Sequence, residues 1–126
     1  KENLPIQEND IVLIHFGWAA FWQSAPEKVL RDWPGISKEA AEYFVEKKVK
    51  IVGTDALAID VFGVKDNPAH YELLGNDVLI VENLTNLHLL PVESYFVGFP
   101  LKIKNGSGSP IRAVAFIASD DSEENR

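Results

Sequence analysis

The chain has 126 residues, 46% of them hydrophobic and 10% aromatic, enough for one core and too few for two comfortable ones. A formal net charge of −7 argues against a nucleic-acid footprint, which needs a basic stripe or patch, and the absence of cysteine excludes disulfides, thiolate catalysis and Cys-type zinc sites. No apolar run approaches a membrane span, no basic-then-apolar leader opens the chain, and there is no methionine, even at position 1.

Taken in chain order, "NDIVLIHF" (Asn9–Phe16) is a continuous apolar run, as expected of a strand in a sheet covered on both faces. "GWAAFWQSAPEKVLRDWPG" follows, broken by Pro26, Pro34 and Gly35, and reads as a long irregular loop with one short helix. Ser37 suits a helix N-cap, and Glu39 puts an acid in the first turn, where the helix dipole favours it. Ala41, Phe44, Val45 and Val49 fall on one helical face, and Lys47 and Lys48 close the helix. "VKIVGTD" (Val49–Asp55) is the next strand, so strand, helix and strand form a crossover and predict a mixed or parallel sheet.

Asp60 is an isolated acid in a loop-like stretch. Asn67 and Pro68 suit the N-cap and first position of a two-turn helix, with Gly75 as its left-handed stop. "DVLIVENL" (Asp77–Leu84) reads as a strand with Glu82 in its middle. "SYFVGFPLKI" (Ser94–Ile103) is strand-like but interrupted by Gly98 and Pro100, "KNGSGSP" is a turn, and "IRAVAFIA" (Ile111–Ala118) is a last strand. Residues 119–126 hold four acids and one arginine and are expected to be a disordered acidic tail.

Three histidines are available for chemistry, and none pairs with another at the four-residue spacing of a zinc helix. There is no G-x-S-x-G elbow, and "NGSGSP" lacks the lysine of a phosphate loop. His15 reads as a hydrogen-bonded core or edge histidine, and His88 as a surface or loop residue. His70 falls at the third position of the short helix, and a tight reversal brings Glu82 back beneath it. A carboxylate among apolar residues needs a partner or a metal. Two readings follow from the spacing: a buried His–Glu hydrogen bond without metal, or a pair of ligands for a divalent transition metal.

"VLIHFGWAAFW", "VGTDALAID", "AHYELLGNDVLIVENLTNL", "FPLKI" and "GSPIRAVA" occur in that order. Together they resemble the C-terminal half of the cyclase family of metal-dependent hydrolases, which includes bacterial kynurenine formamidase and isatin hydrolase. The resemblance covers roughly Asp10 to Ala118, and it implies an α/β fold of swivelling β/β/α type, with a mixed sheet and short helices. Residues 1–118 would then be an incomplete, C-terminal portion of a single hydrolase domain. The family's histidine followed twelve residues later by a glutamate maps onto His70 and Glu82, which makes both metal ligands and gives Glu82 a catalytic part in orienting water. Asp60 would orient His70 from behind, with loop capping as the competing role. Trp18, Phe21 and Trp22 would line an aryl pocket, or else pack in the core or at a dimer contact. The metal implied is zinc or manganese, and the substrate a small amide, N-formyl aryl or cyclic.

The family's N-terminal His-x-Gly-Thr-His motif is nowhere in the chain. With the absent methionine, this predicts a missing N-terminal half that carries the other ligands and a histidine acid/base, so that these residues alone would be inactive. Phe16 replaces the family's commoner Thr and Ala58 its commoner Ser, which leaves the substrate open. A cytoplasmic homo-oligomer is expected, without nucleic-acid or membrane partners. The alternative is a non-catalytic cyclase-like module for binding or oligomerisation.

Overall fold

A computed structural model describes residues 4–118. The chain divides into two compact units, Lys1–His88 and Leu89–Arg126. The acidic tail expected from Ser119 onward lies outside the described residues.

In the first unit, strand β1 (Ile11–Ile14) is followed by a 3-10 turn (Trp18–Ala20) and three helices, α1 (Phe21–Ser24), α2 (Pro26–Val29) and α3 (Lys38–Glu46). Strand β2 (Ile51–Thr54), helix α4 (Pro68–Gly75) and strand β3 (Leu79–Val81) complete it, before a second 3-10 turn at Leu87–Leu89. The three strands are parallel in the order β1-β2-β3, with Ile51 opposite both Ile11 and Leu79. Each parallel pair is joined through a helix, as parallel strands require.

Helix α3 starts where its sequence directs. The Ser37 hydroxyl accepts from the Ala40 N–H at 3.2 Å, and Ala41 and Phe44 turn to the core. Lys48 then takes a left-handed φ of 56°. Its carbonyl accepts from Asn9 N–H at 2.9 Å, and Lys50 N–H reaches the Asp10 carbonyl at 2.8 Å, which sets β2 beside β1. The main core joins Ile36, Ala41, Phe44, Val49, Val52, Ile59, Ala69, Leu73 and Val78. Fully burying a side chain such as Ile59 or Leu73 contributes about 1.5–3 kcal/mol. A second cluster packs Trp18, Val29 and Ala56 with Phe21 and Trp33.

Four expectations change. β1 is half-buried along its whole length, because it is an edge strand; only the central β2 is enclosed. The third strand is three residues long, so Glu82 lies just beyond its end rather than in its middle. Gly75 ends α4 without entering the left-handed region, and the turn is made at Asp77, φ 61°. The aromatic loop holds two short helices and a 3-10 turn rather than one helix.

The second unit contains an antiparallel ribbon of β4 (Tyr95–Pro100) and β5 (Ile111–Phe116), paired from Tyr95↔Phe116 to Pro100↔Ile111. Gly98 and Pro100 do not interrupt it as expected. Gly98 faces Ala113, and Pro100 sits at the strand's last position, where a missing N–H is tolerated.

Candidate functional site

Parallel α/β sheets bind ligands beyond the carboxyl ends of their strands. Here His15, Asp55 and Glu82 each follow the last residue of β1, β2 and β3, so one sheet edge carries all three.

The tightest cluster is Asp60–His70–Glu82. His70 Nδ1 lies 2.6 Å from Asp60 Oδ2, and His70 Nε2 lies 3.2 Å from Glu82 Oε1. The imidazole thus spans two carboxylates. Asp60 is almost fully buried, while His70 and Glu82 are each about one-third exposed. Asp60 also caps α4: its Oδ1 accepts from Ala69 N–H at 2.8 Å and its Oδ2 from His70 N–H at 3.0 Å. Asn67, which the sequence suggested for that role, sits at φ 42° and makes no side-chain cap. The two roles weighed for Asp60, capping and holding His70, are therefore performed together. A carboxylate that accepts both N–H groups satisfies donors the helix leaves open and adds charge where the dipole favours it.

Asp60 itself is fixed by its neighbours. Ile36 N–H donates to Ile59 O at 2.9 Å, and the Trp33 indole N–H to Asp60 O at 2.9 Å. Gly35 permits this approach, because a Cβ there would fall 2.4 Å from the Asp60 carbonyl carbon. Glu82 Oε1 is anchored by Ile59 N–H at 2.9 Å.

The cluster fits a divalent metal in part. Two ligand atoms sharing an ion at ordinary zinc distances stand about 3.0–3.4 Å apart, and His70 Nε2 and Glu82 Oε1 are 3.2 Å apart. A carboxylate behind the histidine is the usual support for a ligating imidazole, since it holds the proton on Nδ1 and leaves Nε2 free. Among the described residues no group of three His, Asp or Glu forms a cage, and a zinc site needs at least three protein ligands.

A second polar group occupies the same edge. The Asp55 carboxylate, 1% exposed, accepts from Phe16 N–H at 2.8 Å and Ala19 N–H at 3.3 Å. His15 Nε2 stands 3.9 Å from Asp55 Oδ2, and the His15 and His88 ring centroids are 6.0 Å apart. These residues line a cavity of ≈ 460 Å³ with Gln23, Thr85 and Asn86 among its other walls. His15 and His88 are exposed; of the core and edge positions expected for His15, it takes the edge one, just past the end of the outer strand β1. Sequence reading gave Asp55 no role; its place after an apolar run ending in Gly-Thr was the available signal.

Of the aromatic residues, Trp18 is buried, packs against Phe21 at 5.0 Å and donates its indole N–H to the Val29 carbonyl. Lys28 Nζ lies 3.7 Å from the Phe21 ring centroid. Trp22 is half-exposed, and none of the three lines the cavity.

Fold and site define an α/β protein with a histidine–carboxylate cluster at the carboxyl edge of a parallel sheet. Residues 1–61 match the family model Cyclase, described as "Putative cyclase". The chain is 36% identical over 110 residues to an uncharacterized protein of Methanocaldococcus jannaschii, covering 86% of this chain and 54% of that one. It is 32% identical over 93 residues to the kynurenine formamidase of Salinibacter ruber, covering 71% and 44%. Among solved structures, isatin hydrolase A from Labrenzia aggregata superposes with a TM-score of 0.79 at 30% identity, covering 88% of this chain and 47% of that one. A potential metal-dependent hydrolase with cyclase activity gives 0.73 at 27%, covering 89% and 53%. The chain is thus related to the cyclase family, as its ordered motifs led us to expect, and spans about half the length of the curated relatives it matches.

Proposed function

We propose that residues 1–118 are a portion of a metal-dependent hydrolase domain that cleaves small amides, N-formyl aryl or cyclic. The observation that carries this reading is the Asp60–His70–Glu82 relay, with Nε2 and Oε1 3.2 Å apart and Asp60 2.6 Å behind the imidazole. The formamidase and isatin hydrolase relatives support the amide class.

His70 and Glu82 would hold zinc or manganese through Nε2 and a carboxylate oxygen. A divalent ion there would act as a Lewis acid and lower the pKa of a bound water toward about 7. Asp60 keeps the Nδ1 proton of His70 engaged, so Nε2 presents its lone pair. Glu82 Oε1 is held by the Ile59 N–H, and Oε2, without a partner among the described residues, would be the oxygen free to orient a water. The remaining ligands, and the histidine that exchanges protons with the leaving group, come in this reading from outside these 126 residues. By themselves the 126 residues bind metal weakly and do not turn over. Trp22, the exposed aromatic of the loop, is the best placed of the three for an aryl substrate or a second subunit of a homo-oligomer.

The test is His70→Ala and Glu82→Gln in the full-length protein, with metal content by elemental analysis and turnover on an N-formyl aryl amide and a cyclic amide. Both should fall at least about tenfold, the range for losing one ligand or its support. Unchanged metal and turnover would refute the ligand assignment. Direct closure of His70 on Glu82 also suits a non-catalytic module, and that reading is the correct one if the wild-type full-length protein purifies without stoichiometric metal.

A further inference from the structure

Two histidines on this sheet edge have carboxylate neighbours, but only one is saturated. His70 is bracketed, with Asp60 on Nδ1 and Glu82 on Nε2. His15 has a single carboxylate, Asp55, near Nε2, and no described residue hydrogen-bonds its other ring nitrogen. It faces His88 in the ≈ 460 Å³ cavity, where His88 likewise makes no hydrogen bond within the described residues. We infer that this cavity binds the carboxylate group of a small organic acid between His15 and His88, the ligand taking beside His15 the place that Glu82 takes beside His70.

Three features favour an acid. Asp55 is 1% exposed and spends both oxygens on backbone N–H groups of the Phe16–Ala19 turn. Asp55 also lines the cavity, but with both oxygens engaged by the turn its charge acts as a fixed counter-charge behind His15. Of the polar side chains on the cavity wall, His15, His88, Asn86 and Gln23 carry N–H donors and Thr85 an O–H donor, Asp55 being the one carboxylate, and each imidazole is a charge-assisted donor to a carboxylate when protonated. The volume accommodates a ring-sized acid, and Ala19, Ala20 and Leu87 supply apolar wall for its hydrocarbon part. The inference rests on the proposed function only for the ligand's origin: amide hydrolysis always yields a carboxylic acid, and a product or a substrate's second carboxylate has the required chemistry.

The experiment is a calorimetric titration of the full-length protein with benzoate as probe and benzamide as its neutral counterpart. Benzoate should bind saturably, and benzamide about tenfold more weakly, the value of one hydrogen bond to a charged group. His15→Gln and His88→Gln should each weaken benzoate by about tenfold; both side chains are exposed, and an unchanged amide NMR spectrum checks that folding is intact. His70→Ala should leave benzoate affinity as it is. Equal affinity for benzoate and benzamide, or full affinity in both glutamine variants, overturns the inference. Loss of benzoate binding in His70→Ala alone places the acid at the metal-side cluster: the carboxylate pocket is then wrong while the hydrolase reading stands. Benzoate binding by a protein that carries no metal has the opposite meaning, keeping the pocket and removing the hydrolase.

Discussion

Asp60→Ala removes three contacts at once: Ala69 N–H at 2.8 Å, His70 N–H at 3.0 Å and His70 Nδ1 at 2.6 Å. The first two are the cap of α4, and losing an N-cap costs about 1–2 kcal/mol. The Ala69 N–H is fully buried and cannot recruit water, so its unmet donor raises the cost toward the upper end, about 1–3 kcal/mol for a buried orphan. His70 is 32% exposed and regains hydration, which limits its share to well under a typical charged hydrogen bond. The total is about 2–4 kcal/mol, a large fraction of the stability of a small domain. Asp60→Asn keeps one acceptor oxygen for Ala69 but turns an amide toward the two donors of His70, so it should cost about half as much. Urea unfolding followed by far-ultraviolet circular dichroism reads both values from the midpoint, provided the slope is unchanged. Metal affinity of the full-length protein should fall about 10–100-fold in either variant. A midpoint shift worth less than about 0.5 kcal/mol in Asp60→Ala, the scale of an ordinary surface change, would show that the cap and relay are not what hold α4 in place.

Glycine substitutions on two sides of the cluster should differ in sign. Gly35→Ala drives a Cβ to 2.4 Å from backbone atoms of Asp60 and Val61, which cannot swing aside, and should cost at least about 1–3 kcal/mol in a thermal melt. Gly75→Ala meets nothing within 4 Å at a helical position and should stabilise by about 0.5–1 kcal/mol; a loss there would mean the end of α4 is not helical in solution. Glu39 carries a pH signature. Its carboxylate accepts from its own backbone N–H and from the Ser37 hydroxyl, which lowers its pKa below the ordinary 4.5. The folded state thus favours the ionised form, and this stabilisation, present above 4.5, is lost as pH falls through the depressed value. The stability gap between wild type and Glu39→Gln should therefore close on acidification, and a gap constant across the acid range contradicts the assignment.

Much of this was readable from local patterns. Ser37, Ala41 and Phe44 announced α3, because capping and the helical repeat are properties of a few neighbouring residues. The twelve-residue interval from His70 to Glu82 allowed them to face one another across a two-turn helix and a short reversal, and the structure brings them to 3.2 Å. Asn67 misled for a related reason: its residue type suits a cap, yet it lies at φ 42°, and a carboxylate ten residues before His70 does the capping. Gly75 and Glu82 were misplaced by only a residue or two, which is where element boundaries are least determined by local preference.

The sequence by itself determined the crossover order of strands and helices and the kinship to the cyclase family, and through that kinship it pointed to His70 with Glu82, because each rests on short-range periodicity or on ordered motifs. Only the tertiary structure decided what Asp60 and Asp55 do. Asp60 meets Ala69 and His70, nine and ten residues further on, where helix α4 presents its first N–H groups, whereas Phe16, Ala19 and His15 are brought to Asp55 by the parallel pairing of β1 with β2. A buried carboxylate takes its role from whichever donors surround it, and for Asp55 that neighbourhood exists only once β1 and β2 lie side by side.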